Sequence, residues 1–447
     1  MTAQFKRYDM SRNILTEGSS VEQALVAPVK GNPFSRGLLN YFSHLRGFNH
    51  NIRCVMAGSF LMTLAFSFFN VLQNLYFQAE GYGEAFMGGI LSTMSLGTVL
   101  FALPSSQLVD RVSFKKLLIG ATLTLSTAGL FFLSSFNVYI IYPSIFIIGA
   151  VLSLQSVINA PFLMRNTSEK ERMYAFSAVA AAQMLANLIG SFLAGNLGEY
   201  FTAMMKNSVN GYRSAMVAGL AISLAALIPY GLIRENMIRP EKPRGFNATL
   251  RSDNWPLILK LMLPMMLVGL GAGLVIPFLN VYFKSTFHVG ADKVGIYMSL
   301  NFALMFIGIA AGPALASRFG IVKVMVASQL LSIPFFLTLA FTTNLTLAVI
   351  AFLMRAGLMN MSWPLGQNFN MEVVGQNEQA TANSLIMFSW NIAWMLSVKF
   401  GGKLIEWAGG YTESMCLAAF IYIVSASFYY FFFHRAGFKE IGIRQKQ

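Results

Sequence analysis

One basic residue, Arg355, stands inside an apolar run at 345–369, about ten residues from its start. On a helix this is roughly 15 Å from the end, close to the middle of a bilayer. A guanidinium is costly there and predicts a binding site for an anion or a strongly polar group. The alternative is a structural arginine bonded to helix carbonyls or neighbouring amides. Ser362 shares its face, whereas Asn360 and Gln367 lie on another, so we do not expect all four to meet one ligand.

Amide side chains recur at one-turn spacing in other apolar runs. One stripe of the run at 54–77 carries Ser59, Thr63, Ser67, Asn70 and Asn74, with Gln73 beside it. Polar groups are costly in lipid, so this many long amides predict the wall of a cavity, while helix-to-helix hydrogen bonding better explains the hydroxyls. The complete set of predicted substrate-binding residues is Asn70, Gln73, Asn74, Gln155, Asn159, Gln183, Asn187, Asn280, Arg355, Asn360, Trp390, Asn391 and Trp394.

Trp390 and Trp394 lie one turn apart at mid-depth of the run at 381–405, with Asn391 next to them. Tryptophan usually lies at the membrane surface, where its N–H can meet water. A mid-depth pair predicts stacking on a ring or on the face of a sugar, and simple packing is the alternative.

These side chains require membrane-spanning elements to position them. Hydrophobic residues form 55% of the 447-residue chain and charged residues only 11%, too few to cover a soluble protein of this size. Runs of about 20 apolar residues span the hydrocarbon only as helices. We predict twelve spans, at 54–77, 86–109, 115–135, 138–163, 174–198, 214–233, 257–282, 292–316, 322–342, 345–369, 381–405 and 412–433.

The two sets of six spans repeat each other. Nine residues of the first half are identical to the residues 207 positions later in the second half. They are Gly88, Ser92, Arg111, Met164, Ala175, Ser177, Gly195, Leu197 and Glu199. Asn74 matches Asn280 at an offset of 206. A repeat built from apolar spans is typical of carriers with two related halves. Arg355 falls opposite Ile148, so it is an asymmetric addition.

The chain has a net charge of +14, and its basic residues are distributed according to the membrane topology. If both termini are cytoplasmic, 25 of the 32 Lys and Arg residues lie on the cytoplasmic side, so we expect that orientation and no nucleic-acid binding.

The predicted domains are a cytoplasmic segment (1–52), a six-helix bundle (53–233), a cytoplasmic linker (234–255), a second bundle (256–434) and a cytoplasmic tail (435–447). The first segment carries either a surface helix around 34–45 or a disordered tail. We expect Cys54 and Cys416 to be buried thiols.

Acidic residues and histidines are missing from the middle of the spans. Glu199 and Glu406 lie at span ends, and the four histidines lie in loops or tails. We therefore expect a transport cycle that does not need a proton gradient, with coupling through these two glutamates as the alternative. An enzyme would need an acid pair, a Ser–His pair or a metal cluster within the spans, and a channel would need a ring of like residues. We expect neither, and no metal or cofactor.

The loop after the second span reads Ser106-Gln-Leu-Val-Asp110-Arg111-Val-Ser113-Phe-Lys115-Lys116. It resembles the loop signature of the major facilitator superfamily, with serines in place of two glycines. The copy in the second half retains Arg318 but has Ser317 in place of the aspartate. The resemblance covers about 54–434 and implies an all-α membrane protein with twelve transmembrane helices in two pseudo-symmetric six-helix bundles.

Asp110 is expected to lie at the inner membrane face beside the N-terminus of the eleventh helix, where the helix dipole stabilises a carboxylate. The predicted latch, formed only when the inner side is closed, comprises Asp110, Arg111, Lys115, Lys116 and Arg318. For the basic members, the alternative is that they only anchor the topology.

These features together predict an alternating-access carrier in the cell membrane. The solute is a small amphiphilic or anionic organic compound, because amides and one cation face an aromatic, methionine-rich surround. We favour export, with uptake of a sugar or organic anion as the alternative. The expected partners are the solute and the lipid bilayer, and we expect a monomer.

Overall fold

A computed structural model describes residues 47–234, 254–374 and 378–433. The chain divides into a unit at 1–48, nearly all of it outside these ranges, and a unit at 49–447, which contains all twelve of the helices named below. The predicted surface helix near 34–45, nearly all of the linker and the tail from 435 also lie outside the described residues.

The twelve predicted spans are confirmed as helices in the described residues. They are α1 (His50–Ala79), α2 (Glu84–Arg111), α3 (Phe114–Ser134), α4 (Val138–Asn166), α5 (Glu169–Met205), α6 (Ser208–Gly231), α7 (Trp255–Phe287), α8 (Ala291–Phe319), α9 (Ile321–Phe341), α10 (Leu345–Val373), α11 (Gln379–Ala408) and α12 (Thr412–Phe433). All except α11 are long and apolar enough to cross a membrane. Amides, serines and lysines lower the hydropathy of α11.

Polar N-caps begin several of these helices in the connecting loops. The side chains of Ser113, Asn137, Asn207 and Asn344 accept hydrogen bonds from the first turns of α3, α4, α6 and α10. Each cap satisfies a backbone N–H that has no partner inside the helix, which fixes where the span starts.

The halves share one packing scheme. In the first half α1 packs against α5 and α6, and α2 against α4; in the second, α7 packs against α11 and α12, and α8 against α10. One difference is a 3₁₀ turn at Ile276–Phe278 that interrupts α7, where Pro277 lacks the N–H that an α-helix needs. The equivalent part of α1 is a continuous helix.

Two crossings join the halves, α2 with α11 and α5 with α8. A Cβ on Gly88 would lie 2.6 Å from the Val398 carbonyl oxygen and 3.4 Å from the Gly402 Cα. A Cβ on Gly195 would lie 2.6 Å from the Gly295 Cα. Because Gly88 is the repeat of Gly295, and Gly195 the repeat of Gly402, the two crossings are one contact made twice around a pseudo-two-fold axis.

Both crossings lie at the same end of the bundle, where α1 ends and α2 begins. We call this the far end, and the opposite end, where α6 ends and α7 begins, the linker end. One cluster of buried apolar residues runs from the first half into the far-end part of the second, including Leu75 of α1 and Phe283 of α7. Buried residues at the linker end of the second half, such as Ile258 and Phe369, form a separate cluster. The halves therefore share a core at the far end and have separate cores at the linker end.

We expect Gly88→Ala and Gly295→Ala to weaken far-end closure, because the added methyl group forces the crossing helices apart. The distance between spin labels at Lys206 and Glu413, two exposed far-end positions in different halves, should shift towards longer values. Cys54 and Cys416 are free thiols and must first be replaced; Cys416 is half-buried, not buried as predicted, because it lies on a peripheral helix.

Gly120→Ala is the matched control for these variants. It also places alanine in a helix, where it is favoured over glycine by about 1 kcal/mol, but its Cβ meets nothing within 4 Å. An unchanged distance distribution in both crossing variants would show that the crossings do not hold the far end closed.

Candidate functional site

The second half encloses a cavity of about 290 Å³. Residues from α7 to α12 line it, from Phe352, one turn on the far-end side of Arg355, to Met325 and Tyr429, about one turn from the linker ends of α9 and α12. Its walls are largely apolar, with five methionines, Met265, Met298, Met305, Met325 and Met359. Unbranched thioether side chains adapt to differently shaped ligands, so this wall suits an organic solute.

Arg355 lies in the wall of this cavity with 5% of its surface exposed. Its guanidinium carbon is 5.5 Å from the centre of the Phe336 ring, and it is in electrostatic contact with Tyr422. Among the described residues its Nε has no hydrogen-bond partner and no carboxylate forms an ion pair with it. Phe336 supports the charge by a cation–π contact but leaves the hydrogen-bonding capacity of the fork unused.

Four other cavity residues carry buried polar atoms without a partner among the described residues. They are Asn301 Oδ1, Gln329 Oε1, Trp390 Nε1 and the Tyr422 hydroxyl. A buried donor or acceptor left without a partner costs about 1–3 kcal/mol. This grouping around one cavity, donors and acceptors together, is the pattern of a binding site.

An indole stack forms one side of the cavity. The rings of Trp390 and Trp394 are nearly parallel, at 19°, with centroids 5.3 Å apart. Trp363 meets Trp390 edge-on at 5.7 Å, is 37% exposed and also lines the cavity. The tryptophans therefore offer a flat face to a ligand as well as packing against one another.

Of the predicted second-half residues, Arg355, Asn360, Trp390 and Trp394 line the cavity. Asn360 lies on a different face of α10 from Arg355, and both faces contribute to the wall of the cavity. Gln367 is not part of that wall, and neither is Asn391, whose amide donates to the Met387 carbonyl 2.8 Å away.

The predicted amides of the first half do not line this cavity. Asn70 is exposed, Gln73 is buried with no partner for Nε2 among the described residues, and Asn187 accepts a hydrogen bond from Ser67 at 3.0 Å. The other three are half-buried; they are Gln155, Asn159 and Gln183.

Asn74 and Asn280 meet at the far end, across the boundary between the halves. Asn74 donates to the Pro277 carbonyl at 2.7 Å, and Asn280 donates to the Val71 carbonyl at 2.9 Å. Asn280 lies 206 positions after Asn74, and Pro277 lies 206 positions after Val71. The two hydrogen bonds are therefore related by the same pseudo-two-fold symmetry as the glycine crossings. These two amides are therefore committed to joining the halves in this conformation.

A pair of glutamates completes the far-end contacts. Glu406 accepts a hydrogen bond at 3.0 Å from the backbone N–H of Ala85, at the start of α2. Its repeat, Glu199, accepts one at 3.0 Å from the N–H of Ala291, at the start of α8. Each carboxylate thus caps a helix of the opposite half, where the positive end of the helix dipole favours an anion.

A third polar contact involves Tyr411, in the loop between α11 and α12. Burial, with the Glu84 carboxylate nearby, raises the pKa of Tyr411 above its usual range, so the phenol stays protonated. It donates to Glu84 Oε1 at 2.7 Å, which links the second half to the first turn of α2.

The predicted latch residues lie at the linker end. Asp110, near the end of α2, is half-buried and has no hydrogen-bond or ion-pair partner among the described residues. Arg111 is exposed, and Arg318 lies 5.3 Å from the Phe319 ring centre. Asp110, the acidic member of the latch, is therefore not engaged with the described residues in this conformation.

Asn301, Gln329 and Tyr422 line the cavity although the sequence did not single them out. Gln329 was recognisable as a lone amide within a span, but it has no partner at helical spacing. Gly88, Glu199 and their repeats likewise were not predicted to be contact residues. Their identity in both halves was the available signal, since one contact made twice preserves the same residues.

The described residues form twelve helices, a cavity at mid-depth and symmetric contacts between two halves, an arrangement that is typical of multi-pass membrane transport proteins. Comparison with known families places it further: the model of the Major Facilitator Superfamily matches residues 55–263 and 261–446. The chain belongs to this superfamily, and it is a transporter rather than an enzyme.

Individual relatives are distant. An uncharacterized MFS-type transporter, YcaD, of Escherichia fergusonii is 21% identical over 384 residues, which cover 85% of this chain and 94% of the relative. The crystal structure of a bacterial homolog of the human lysosomal transporter Spinster, inward-facing and unoccupied, has a TM-score of 0.71 at 15% identity, covering 85% of this chain and 95% of that one. The nucleoside transporter NupG has a TM-score of 0.70 at 16% identity, covering 87% and 99%. The solved structures establish the fold alone.

We expect the double variant Glu199→Gln, Glu406→Gln to open the far end. A charged cap at a helix N-terminus contributes roughly 0.3–1 kcal/mol, so removing two should shift the closed-to-open ratio about 3- to 30-fold. Spin labels at Lys206 and Glu413 report the ratio, and Glu80→Gln, an exposed far-end residue, is the control. A ratio unchanged from the parent would mean that the two caps do not stabilise closure.

Proposed function

We propose that this protein is an alternating-access secondary transporter that exports a small amphiphilic or anionic organic solute. The solute binds in the second-half cavity at Arg355, between the indole stack and the methionine wall. One observation carries the proposal: the far end is closed by contacts that repeat around a two-fold axis, while a mid-depth cavity with unpartnered polar atoms reaches Met325 and Tyr429, about one turn from the linker ends of their helices. A site closed on one side and approached from the other is one state of an alternating-access cycle.

The linker end is the cytoplasmic side in this proposal. The charge distribution supports it, because 25 of the 32 Lys and Arg residues fall in segments on that side. Both termini are then cytoplasmic and the structure is inward-open. The bacterial relatives favour the inner membrane as its location, and we propose that the protein acts as a monomer.

Export is favoured over uptake by the character of the cavity. An adaptable methionine and aromatic wall tolerates solutes of different shape, as in transporters that remove unwanted compounds. The alternative, uptake of a sugar or organic anion, is supported by the indole stack, because an indole face also suits a sugar ring.

The opposite, outward-open state requires new contacts at the linker end. As the far-end crossings separate, the linker ends of α2 and α11 approach each other, and Asp110 reaches the N-terminus of α11. The helix dipole then stabilises its carboxylate, and Arg111, Lys115, Lys116 and Arg318 supply charges around it. The two ends of the molecule thus compete, since far-end contacts stabilise one state and the latch the other.

We expect Asp110→Asn to shift the population towards the inward-open state and to lower turnover without unfolding the protein. Spin labels at Gln107 and Ala314, exposed linker-end positions in different halves, should report longer distances under conditions in which the parent samples both states. Ser317→Asp tests the symmetric position and should move the distances the opposite way. Distances that do not respond to Asp110→Asn would rule out the latch.

We expect transport to survive collapse of the pH gradient, because no acidic residue or histidine lies at mid-depth of the described spans. The measurement is flux of a binding organic anion into proteoliposomes with and without a protonophore, at constant membrane potential. Strict dependence on the gradient would contradict this prediction and would point to Glu199 and Glu406 as the coupling groups.

A further inference from the structure

We propose that the second-half cavity is a self-contained subsite for a planar organic monoanion that also carries a hydrogen-bond donor. The inference rests on the proposed transport function and narrows its substrate class. It follows from the charge balance of the wall, its flat aromatic side, the unpartnered atoms around it and the lack of an equivalent in the first half.

The charge of the ligand follows from the wall. Arg355 is the one charged residue among the described residues that line the cavity. A monoanion neutralises it and can use its planar fork in a bidentate contact, as carboxylates do. A dianion would leave one buried negative charge unbalanced, and the ammonium of an amino acid would find no carboxylate in the wall. This argues against dicarboxylates, zwitterions and cations.

The shape of the ligand follows from the indole stack. The Trp390 and Trp394 rings are stacked and nearly parallel and give the cavity a flat aromatic side, while the methionine side chains can close over the opposite side of a ring. The cavity volume of about 290 Å³ lies at the lower limit for small-molecule sites. One aromatic or conjugated ring with short substituents matches this space better than a nucleoside or a disaccharide.

The donor on the ligand follows from two amide oxygens. Asn301 Oδ1 and Gln329 Oε1 accept no hydrogen bond from the described residues, whereas the amide nitrogen of Asn301 already contacts the Met305 sulfur. A phenolic hydroxyl or an N–H group would satisfy one of these acceptors. The Trp390 N–H and the Tyr422 hydroxyl can in turn donate to ligand oxygens.

The first half does not duplicate this set. At an offset of 207 positions, Arg355 falls opposite Ile148, Asn301 opposite Met94 and Tyr422 opposite Ala215. The polar groups that would recognise the anion therefore lie in the second half alone. Binding needs no first-half side chain, so the ligand can stay in the second half while the halves rotate about the site.

The test uses the full-length protein in detergent with 4-hydroxybenzoate as the probe. Binding is measured by thermal shift and by quenching of tryptophan fluorescence in a Trp255→Phe, Trp407→Phe background, in which the remaining tryptophans, Trp363, Trp390 and Trp394, all line the cavity. Three analogues change the probe: 4-hydroxybenzamide removes the charge, terephthalate replaces the hydroxyl donor with a second charge, and 4-hydroxycyclohexanecarboxylate removes the planar ring.

We expect 4-hydroxybenzoate to bind more tightly than each analogue. Arg355→Gln should weaken its binding on the order of 10- to 100-fold, as expected for loss of a charged hydrogen bond, and Arg355→Lys should restore only part of it. Trp390→Leu should weaken the aromatic acid more than the cyclohexane acid. Arg318→Gln, and Trp407→Leu measured by thermal shift in the parent sequence, are the matched controls, since neither residue lines the cavity, and they should bind like the parent.

If 4-hydroxybenzamide binds as tightly as 4-hydroxybenzoate, the ligand does not need a negative charge. If terephthalate binds more tightly than 4-hydroxybenzoate, the ligand is not limited to a single charge. If 4-hydroxycyclohexanecarboxylate binds as tightly, the ligand does not need a planar ring. No binding of the probe or its analogues would overturn the whole inference. The proposed transport function is judged separately, by exchange between far-end and linker-end opening in the spin-label distances. A protein that alternates but does not bind the aromatic acid retains the function and loses this substrate class.

Discussion

Close approach of helix backbones at two glycine crossings is the constraint on which the far end depends. In a membrane, apolar side chains gain little by leaving lipid for protein, so helices associate where small residues let their backbones meet. Gly88 with Gly402, and Gly195 with Gly295, provide this at both crossings. Only at that separation can the glutamate caps and the exchanged asparagine amides reach the opposite half.

The far-end contacts between the halves are symmetric, whereas the cavity is not. Each junction contact is made twice with equivalent residues, so closing the far end acts on both sides of the axis together and favours rotation of one half against the other as a rigid body. The cavity belongs to one half, and its single cation has no counterpart in the other. The protein therefore combines a symmetric moving part with an asymmetric recognition site, which separates the energetics of the conformational change from the choice of solute.

Much of the fold was predictable from the sequence, because a bilayer leaves few alternatives to helices of about 20 apolar residues. The depth of Arg355 followed from counting residues along one span. Contacts between halves did not follow, since a repeat shows that two residues are equivalent but not which residues they meet. Asn74 and Asn280 have the same polar character whether they line a cavity or join two helices. Gln329 and Tyr422 converge on the arginine only through the packing of α9 and α12, which no single helical period reveals.

The pairing of the repeat positions has a consequence for the origin of the chain. Position 88 of one half contacts the equivalent of position 195 in the other, and the reverse contact is also made. An interface in which i meets j and j meets i is isologous, the type that joins two identical subunits in a closed dimer. A six-helix ancestor with these two glycines could thus have assembled as a homodimer before its gene was duplicated and fused. The fusion would then have freed one copy to acquire an arginine that the other never needed.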